Sequence, residues 1–207
     1  MKIILLFLVT AFLTPFITYA QDFAGYGSVT PEELALTECA FDKDANAIVL
    51  LDESVSDHDE DYHLINYRHV RIKILKEKGI SYANIEIPFY SHNNFEKISK
   101  IDACTYNLDE SGKVKVTDVG KSSVYIKKIN KQLSRLIIAF PEVKVGSVIE
   151  YRYRLERESY SQIKDWYFQD RIPTRYSEYE INVPNFFVFN VQPTIVDKMD
   201  EKAKEFD

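Results

Sequence analysis

The sequence predicts an all-β fold: an antiparallel β-sandwich-like domain with one short N-terminal helix. Two observations carry this reading. From Ala45 onward the dominant apolar period is two, as on strands with one buried face. Turn-forming clusters then divide the chain into short runs, among them Asp109-Glu110-Ser111-Gly112 and Gly146-Ser147. Repeated short strands separated by turns indicate a sandwich or an open barrel.

The chain opens with a different pattern. Lys2 is the single charge before an almost wholly apolar run from Ile3 to Phe12, and Thr18-Tyr19-Ala20 places small residues where a signal peptidase reads. Residues 1–20 are therefore expected to be a secretory signal peptide, with an uncleaved membrane anchor as the alternative; the run is short for a span. No Cys sits directly after Ala20, so nothing marks a lipid-anchored start. The expected location is exported: periplasmic, cell-envelope or extracellular.

Residues 21–40 read as a lead-in and a short helix. Gly25, Gly27 and Ser28 suggest a mobile approach. Thr30-Pro31-Glu32-Glu33 is a helix start, in which Thr30 caps, Pro31 suits the first helical position and Glu33 completes a capping box. About two turns are expected, to Cys39.

Residues 41–193 are the expected β domain. Ile48 to Leu51 is a short apolar run, and Ser54–Tyr62 reads as an acidic loop. Val70, Ile72 and Ile74 alternate with Arg71 and Lys73, which predicts one buried and one wet face. Ile85 and Ile87 flank Glu86; Ile98 opens a strand through Leu108, and Val114 begins its return. Further runs are Val124 to Ile129 and Leu136 to Phe140. The clearest strand is 148–155, with Ile149, Tyr151, Tyr153 and Leu155 on one face and Val148, Glu150, Arg152 and Arg154 on the other. Tyr179, Ile181 and Val183 alternate in the same way, and Phe186 to Val191 closes the pattern. Residues 194–207 are a charged linker or tail, and no later segment is long enough to span a membrane.

Charge and composition exclude some classes of function. The net charge is −6, or −7 once Lys2 is removed, which argues against nucleic acid as a partner. The two cysteines, Cys39 and Cys104, can pair in an oxidising compartment or serve as small buried hydrophobes. Neither looks catalytic: Cys104 is in a strand context, and Cys39 is at the wrong end of its helix for a thiolate. His58, His63, His69 and His92 show no partner spacing. There is no Gly-x-Ser-x-Gly elbow, P-loop or dinucleotide fingerprint, and no cofactor is expected. The acidic run Asp57–Asp61 has Tyr62 where a calcium loop needs Gly, so it reads as a solvated charge run, with an incidental cation site as the alternative.

Aromatic residues make up 14% of the chain. Trp166, Tyr167, Arg171, Arg175, Tyr176 and Glu178 cluster in sequence and form the candidate ligand or partner surface. The competing reading is that these aromatics fill a sandwich core.

Three segments also carry a resemblance. They are Val70–Lys76 followed by Gly79, Phe140–Tyr151, and Trp166-Tyr167-Phe168-Gln169 with Ile172-Pro173 and Tyr176–Glu180. Together, over about Phe41 to Val191, the chain resembles the domain of unknown function family DUF3857. The resemblance implies an exported all-β domain of Bacteroidetes-type proteins. Such a domain sits before a transglutaminase-like domain with a Cys-His-Asp triad and has no assigned catalytic residues of its own. The expected partner is then such a domain in cis, or a cell-envelope protein. The expected role is a non-catalytic accessory module, whether this chain is a fragment or a stand-alone relative. The alternative is a stand-alone module that binds a glycan or a peptide.

Overall fold

A computed structural model describes residues 25–188, together with Gln192 and Thr194. The expected signal peptide and nearly all of the charged tail lie outside the described residues.

The elements in chain order are α1 (Pro31–Ala35), β1 (Ala47–His58), β2 (Leu64–Ile74), β3 (Asn84–Tyr90), β4 (Glu96–Leu108), β5 (Val114–Asp118), β6 (Val124–Lys128), β7 (Leu133–Ala139), β8 (Val148–Arg157) and β9 (Ser177–Ile181), with short 3-10 turns between some of them. They form a six-stranded sheet in the order β5-β4-β8-β2-β1-β9 and a three-stranded sheet in the order β3-β7-β6. The predicted all-β, two-sheet architecture is what is found. One pairing departs from a purely antiparallel sandwich: β9 lies parallel to β1, with Asp52 opposite Ser177 and Ser56 opposite Ile181. The connection after β8 is long enough to carry the chain back to the starting end of β1, and a parallel pair needs such a crossover.

The core lies between the sheets. Val70, Ile72 and Ile74 of β2 and Ile149, Tyr151, Tyr153 and Leu155 of β8 meet Phe89 of β3 and Leu136 and Ile138 of β7. These are the alternating positions read from the sequence, because one face of each strand must leave water. A second, smaller core lies on the opposite face of the large sheet. Leu34, Cys39, Ile48, Leu50, Leu75, Cys104, Tyr106 and Val148 pack there beneath the N-terminal segment. Strand β1 serves both cores by alternation, with Ala47 and Val49 on the inner face and Ile48 and Leu50 on the outer, and a bulge between Val49 and Leu51 then reverses the facing of the residues beyond it.

Both predicted turns are present. Asp109 Oδ1 accepts from the amides of Ser111 and Lys113. Gly146 adopts φ 91°, a left-handed conformation that glycine takes without a Cβ clash.

Four expectations are corrected. Helix α1 is five residues, not two turns to Cys39. Its capping box forms as predicted, with Thr30 Oγ1 accepting from Glu33 N and Glu33 Oε2 accepting from Thr30 N. The carbonyl of Leu34, which a longer helix would use, instead accepts from Lys73 Nζ at 2.5 Å. Ser54–His58 of the expected acidic loop continues β1, with Ser54 and Ser56 buried beside Asn66. Phe186–Val188 forms no strand, and residues 189–191 lie outside the described residues. Cys39 and Cys104 are both buried free thiols in the smaller core, so the disulfide gives way to the small-hydrophobe reading.

Gly79 is required by close approach. A Cβ built there would lie 2.0 Å from the Asn46 carbonyl oxygen, a backbone atom that accepts from the Leu75 and Lys76 amides and cannot retreat freely. Gly79→Ala is expected to destabilise the domain by about 1–3 kcal/mol, read as a lower urea midpoint at unchanged slope.

Candidate functional site

The face of the large sheet predicted to be wet is instead covered by the N-terminal segment, and it holds most of the buried chemistry. Arg71 and Lys73, expected in solvent, are buried; so are His69 and Glu150, and Lys73 is 0% exposed. The alternation of β2 and β8 is as predicted, but both faces of each strand are covered there.

Glu150 is the hub. Its Oε1 lies 2.8 Å from His69 Nε2 and accepts from Arg71 Nη2 at 2.6 Å and Arg71 Nε at 3.1 Å. Its Oε2 accepts from the Tyr106 hydroxyl at 2.6 Å and from the Gly27 amide at 3.0 Å. Arg71 Nη1 reaches the Glu33 carboxylate of α1 at 2.9 and 3.0 Å, and Arg71 Nη2 reaches the Gly25 carbonyl. Lys73 Nζ donates to the carbonyls of Leu34 and Gly146. His69 Nδ1 stands 3.4 Å from Glu53 Oε2, and Tyr26 covers the imidazole at 5.6 Å between ring centroids. The supposedly mobile lead-in is therefore docked from Gly25 onward, by contacts that only tertiary folding supplies.

The electrostatics follow from burial and partners. Burial opposes the charge on Glu150, but hydrogen bonds from His69, Tyr106 and Arg71, with the Arg71 charge, overcome it and hold the carboxyl at about 2. Lys73 has carbonyl partners and no carboxylate, so burial alone lowers it to about 8. Burial also raises the Cys104 thiol, an effect that hydrogen bonds with Tyr106 and Tyr26 only partly offset. Cys104 Sγ donates to Tyr106 Oη at 3.1 Å. A thiol, an imidazole and a carboxylate thus share one cluster, but the thiol is protonated and engaged with tyrosines, which is the opposite of an activated nucleophile.

A second buried carboxylate, Glu96, closes the far end of the sheet. It accepts from Tyr90 N at 2.7 Å and Arg157 Nε at 2.8 Å, and pairs with Lys164 at 3.0 Å.

The structure divides the aromatic cluster predicted from sequence. Trp166 is half-buried, with Tyr179 stacked at 5.0 Å and the Arg68 guanidinium at 4.7 Å, while its Nε1 donates to Ser177 Oγ. Arg68 and Tyr179 stand on β2 and β9, the two strands that flank β1, and so are roughly 10 Å apart. The indole contacts both. Arg68 in turn forms a bidentate pair with Asp52. Trp166 lines a cleft of about 210 Å³ together with Ser56, Asn66, Tyr153 and Tyr179.

The other candidates lie elsewhere. Tyr167 is 70% exposed, and Arg171 is exposed. Arg175 turns to the N-terminal face and pairs with Glu33 at 3.3 Å. The Tyr176 hydroxyl donates to Glu178 beside it on the edge strand. These six residues form no single surface. In the acidic run, Asp59 Oδ1 accepts from the backbone amides of Asp61 and His63. Among the described residues, no group of three or more His, Cys, Asp or Glu is placed to hold a metal ion.

The family's sequence profile, a domain of unknown function with solved structures, matches residues 60–205. The chain belongs to the DUF3857 family. Among curated proteins, none matches the chain. Among solved structures, this DUF3857 domain is similar to the crystal structure of a "putative protease" from Parabacteroides distasonis ATCC 8503, with 11% identity and a TM-score of 0.46. That likeness covers 55% of this chain and 23% of the other. No helix among the described residues is long and apolar enough to cross a membrane.

Sequence reasoning missed Glu33, His69, Arg71, Lys73, Tyr106 and Glu150 as a group. The one available signal was the Val70–Lys76 segment of the DUF3857 resemblance, whose charged alternates are the residues the N-terminal segment covers.

Glu150 carries a pH signature. Its folded value lies below the ordinary 4.5, so its contribution is full above about pH 4.5 and is lost as pH falls toward 2. That separation corresponds to about 3 kcal/mol at neutral pH. Glu150→Gln is expected to be less stable at pH 7, with the gap from wild type closing between pH 4.5 and 2 in denaturation series. A constant gap across that window would refute the assignment.

Proposed function

We propose that this DUF3857 chain is a non-catalytic, exported accessory module that positions or assists a transglutaminase-like, protease-like domain following it in the same polypeptide. It would act in the periplasm or cell envelope. The observation that carries the reading is the use to which the reactive groups are put. Cys104, His69 and Glu150 all face the N-terminal segment, are buried, and are bound to Tyr106, Tyr26, Arg71 and Gly27. Groups that elsewhere serve as nucleophile, base and orienting acid here hold one segment of chain against a sheet. Family membership and the leader-like residues 1–20 support the same reading.

A second reading, a stand-alone module for a glycan or peptide, is favoured by one observation. Tyr167 and Phe168, which follow Trp166 in the chain, are exposed. Trp166 itself already stacks on Tyr179 and carries the Arg68 guanidinium.

Two measurements test the proposal. A small charged alkylating reagent is expected to leave Cys39 and Cys104 unmodified in the folded protein and to modify both after denaturation; rapid labelling of native Cys104 would point to a working thiol. The intact mass of the native secreted protein separates the two readings. A mass two- or three-fold above roughly 22 kDa, the chain without its leader, supports the accessory role. A mass of that size alone removes it in favour of the stand-alone module.

A further inference from the structure

One end of the sandwich carries two surface patches of opposite character. The pairings locate them. Leu64 of β2 lies opposite Arg157 of β8, and Arg157 lies opposite Glu96 of β4. The Ser91 amide, just after β3, donates to the Gln132 carbonyl in the β6–β7 turn, and Tyr90 lies opposite Leu133. The β1–β2 turn, the β3–β4 connection and the β6–β7 turn therefore share one end.

The first patch surrounds the β1–β2 turn. Tyr62, Tyr160, Phe186 and Val188 are exposed there. Tyr62 and Phe186 meet edge-on at 5.1 Å, and Tyr160 stacks on Phe187 at 6.1 Å. Asp59, Glu60 and Asp61 belong to the same turn, Asp57 stands at the end of β1 beside it, and no Lys or Arg occurs from Ser54 through Tyr67. The second patch is β6 and the turn after it. Tyr125 and Lys127 on one face of the edge strand, Ile126 and Lys128 on the other, and Ile129 and Lys131 in the turn are exposed, and no Asp or Glu occurs from Val119 through Pro141. These three lysines have no carboxylate partner among the described residues, whereas Arg135 on β7 pairs with Glu86. Strand β6 is also an edge of its sheet.

Lysines on an edge strand can serve simply to discourage pairing. That account leaves the exposed Tyr125 and Ile126 unexplained, and it says nothing of the aromatic patch at the same end. A generic acidic partner would cover only one patch, and a generic basic partner only the other. A second copy of this chain covers both, because each copy presents an acidic aromatic surface and a basic apolar one. With both surfaces at one end, a two-fold axis through that end closes the assembly and makes the same contact twice.

We propose that the chain forms a two-fold homodimer in which the β1–β2 aromatic patch of each copy seats on the β6 basic patch of the other. Apolar contact supplies affinity, while the charges set orientation and a salt-dependent association rate. The overall net charge of −6 repels copies at long range, so attraction depends on the two patches.

Mass measurement by light scattering on the chain purified from an exporting host tests this. Twice the monomer mass is expected at about 0.1 M salt, with a shift toward monomer near 1 M, where screening tightens from about 10 Å to about 3 Å. Reversal of the basic patch (Lys127→Glu, Lys128→Glu, Lys131→Glu) and reversal of the acidic patch (Asp59→Lys, Glu60→Lys, Asp61→Lys) should each give monomers. Unchanged circular dichroism and melting would show that both variants fold. Mixing the two should restore the dimer, because each reversed patch then meets its opposite. A wild type that stays monomeric at low salt overturns the proposal. So do a dimer indifferent to both reversals, a mixture that stays monomeric, or open-ended growth beyond two copies.

Discussion

The buried contact between Glu150 and Arg71 is the constraint on which the rest of this domain depends. A carboxylate removed from water must be met by donors, and Glu150 is met by a guanidinium, an imidazole, a phenol and a backbone amide at once. Three of those donors come from the strands on either side of β8: Arg71 and His69 from β2, with Arg71 opposite Glu150, and Tyr106 from β4. The amide comes from Gly27, which ties the N-terminal segment to the sheet. Arg71 then has donors left over, and Glu33 of α1 takes them. One charge pair thus joins two strands, a helix and the lead-in. Removing either partner from such a pair costs about 3–5 kcal/mol, because the other stays buried and alone.

That constraint explains the unequal treatment of the two faces of the large sheet. The inner face packs on the small sheet through Ile, Leu, Val and Tyr and needs only complementary shape. The outer face carries Arg71, Lys73, His69 and Glu150, which an apolar cover alone could not satisfy. The N-terminal segment meets both needs: Leu34 and Leu36 bring apolar surface, while the Leu34 carbonyl and the Glu33 carboxylate bring acceptors. The same logic recurs at the far end, where Glu96 gathers Arg157, Lys164 and the Tyr90 amide. Two buried carboxylates, each closed by an arginine from a neighbouring strand, hold the sheet where its strands would otherwise present charge to a dry layer.

Legibility in the sequence varied by element for physical reasons. The capping box at Thr30–Glu33 and the turns at Asp109 and Gly146 are local, so their residues announce them. The inner-face positions of β2 and β8 are periodic, so alternation reveals them. Helix length was misread because Lys73, 39 residues away in sequence, takes the carbonyl that would have continued the helix. The aromatic cluster was misread for a similar reason. Trp166, Arg175 and Tyr176 are neighbours in sequence, but Trp166 turns inward to Arg68 and Tyr179 while Arg175 turns to Glu33 on the opposite face.

By itself, then, the sequence determined the all-β class, the family, the positions of the main turns and the apolar face of each principal strand. The family rests on the resemblance of three separated motifs; each of the others depends on neighbours within a few residues or on a two-residue period. Only the tertiary structure decided that the charged alternates of β2 and β8 are buried, that the cysteines stay apart as thiols, and that the N-terminal segment clasps the sheet. Alternation states which residues share a face; it does not state whether that face meets water or another part of the chain. Here a segment from before the first strand covers it, and the pairing of Glu33, Arg71 and Glu150 exists only once that segment has arrived.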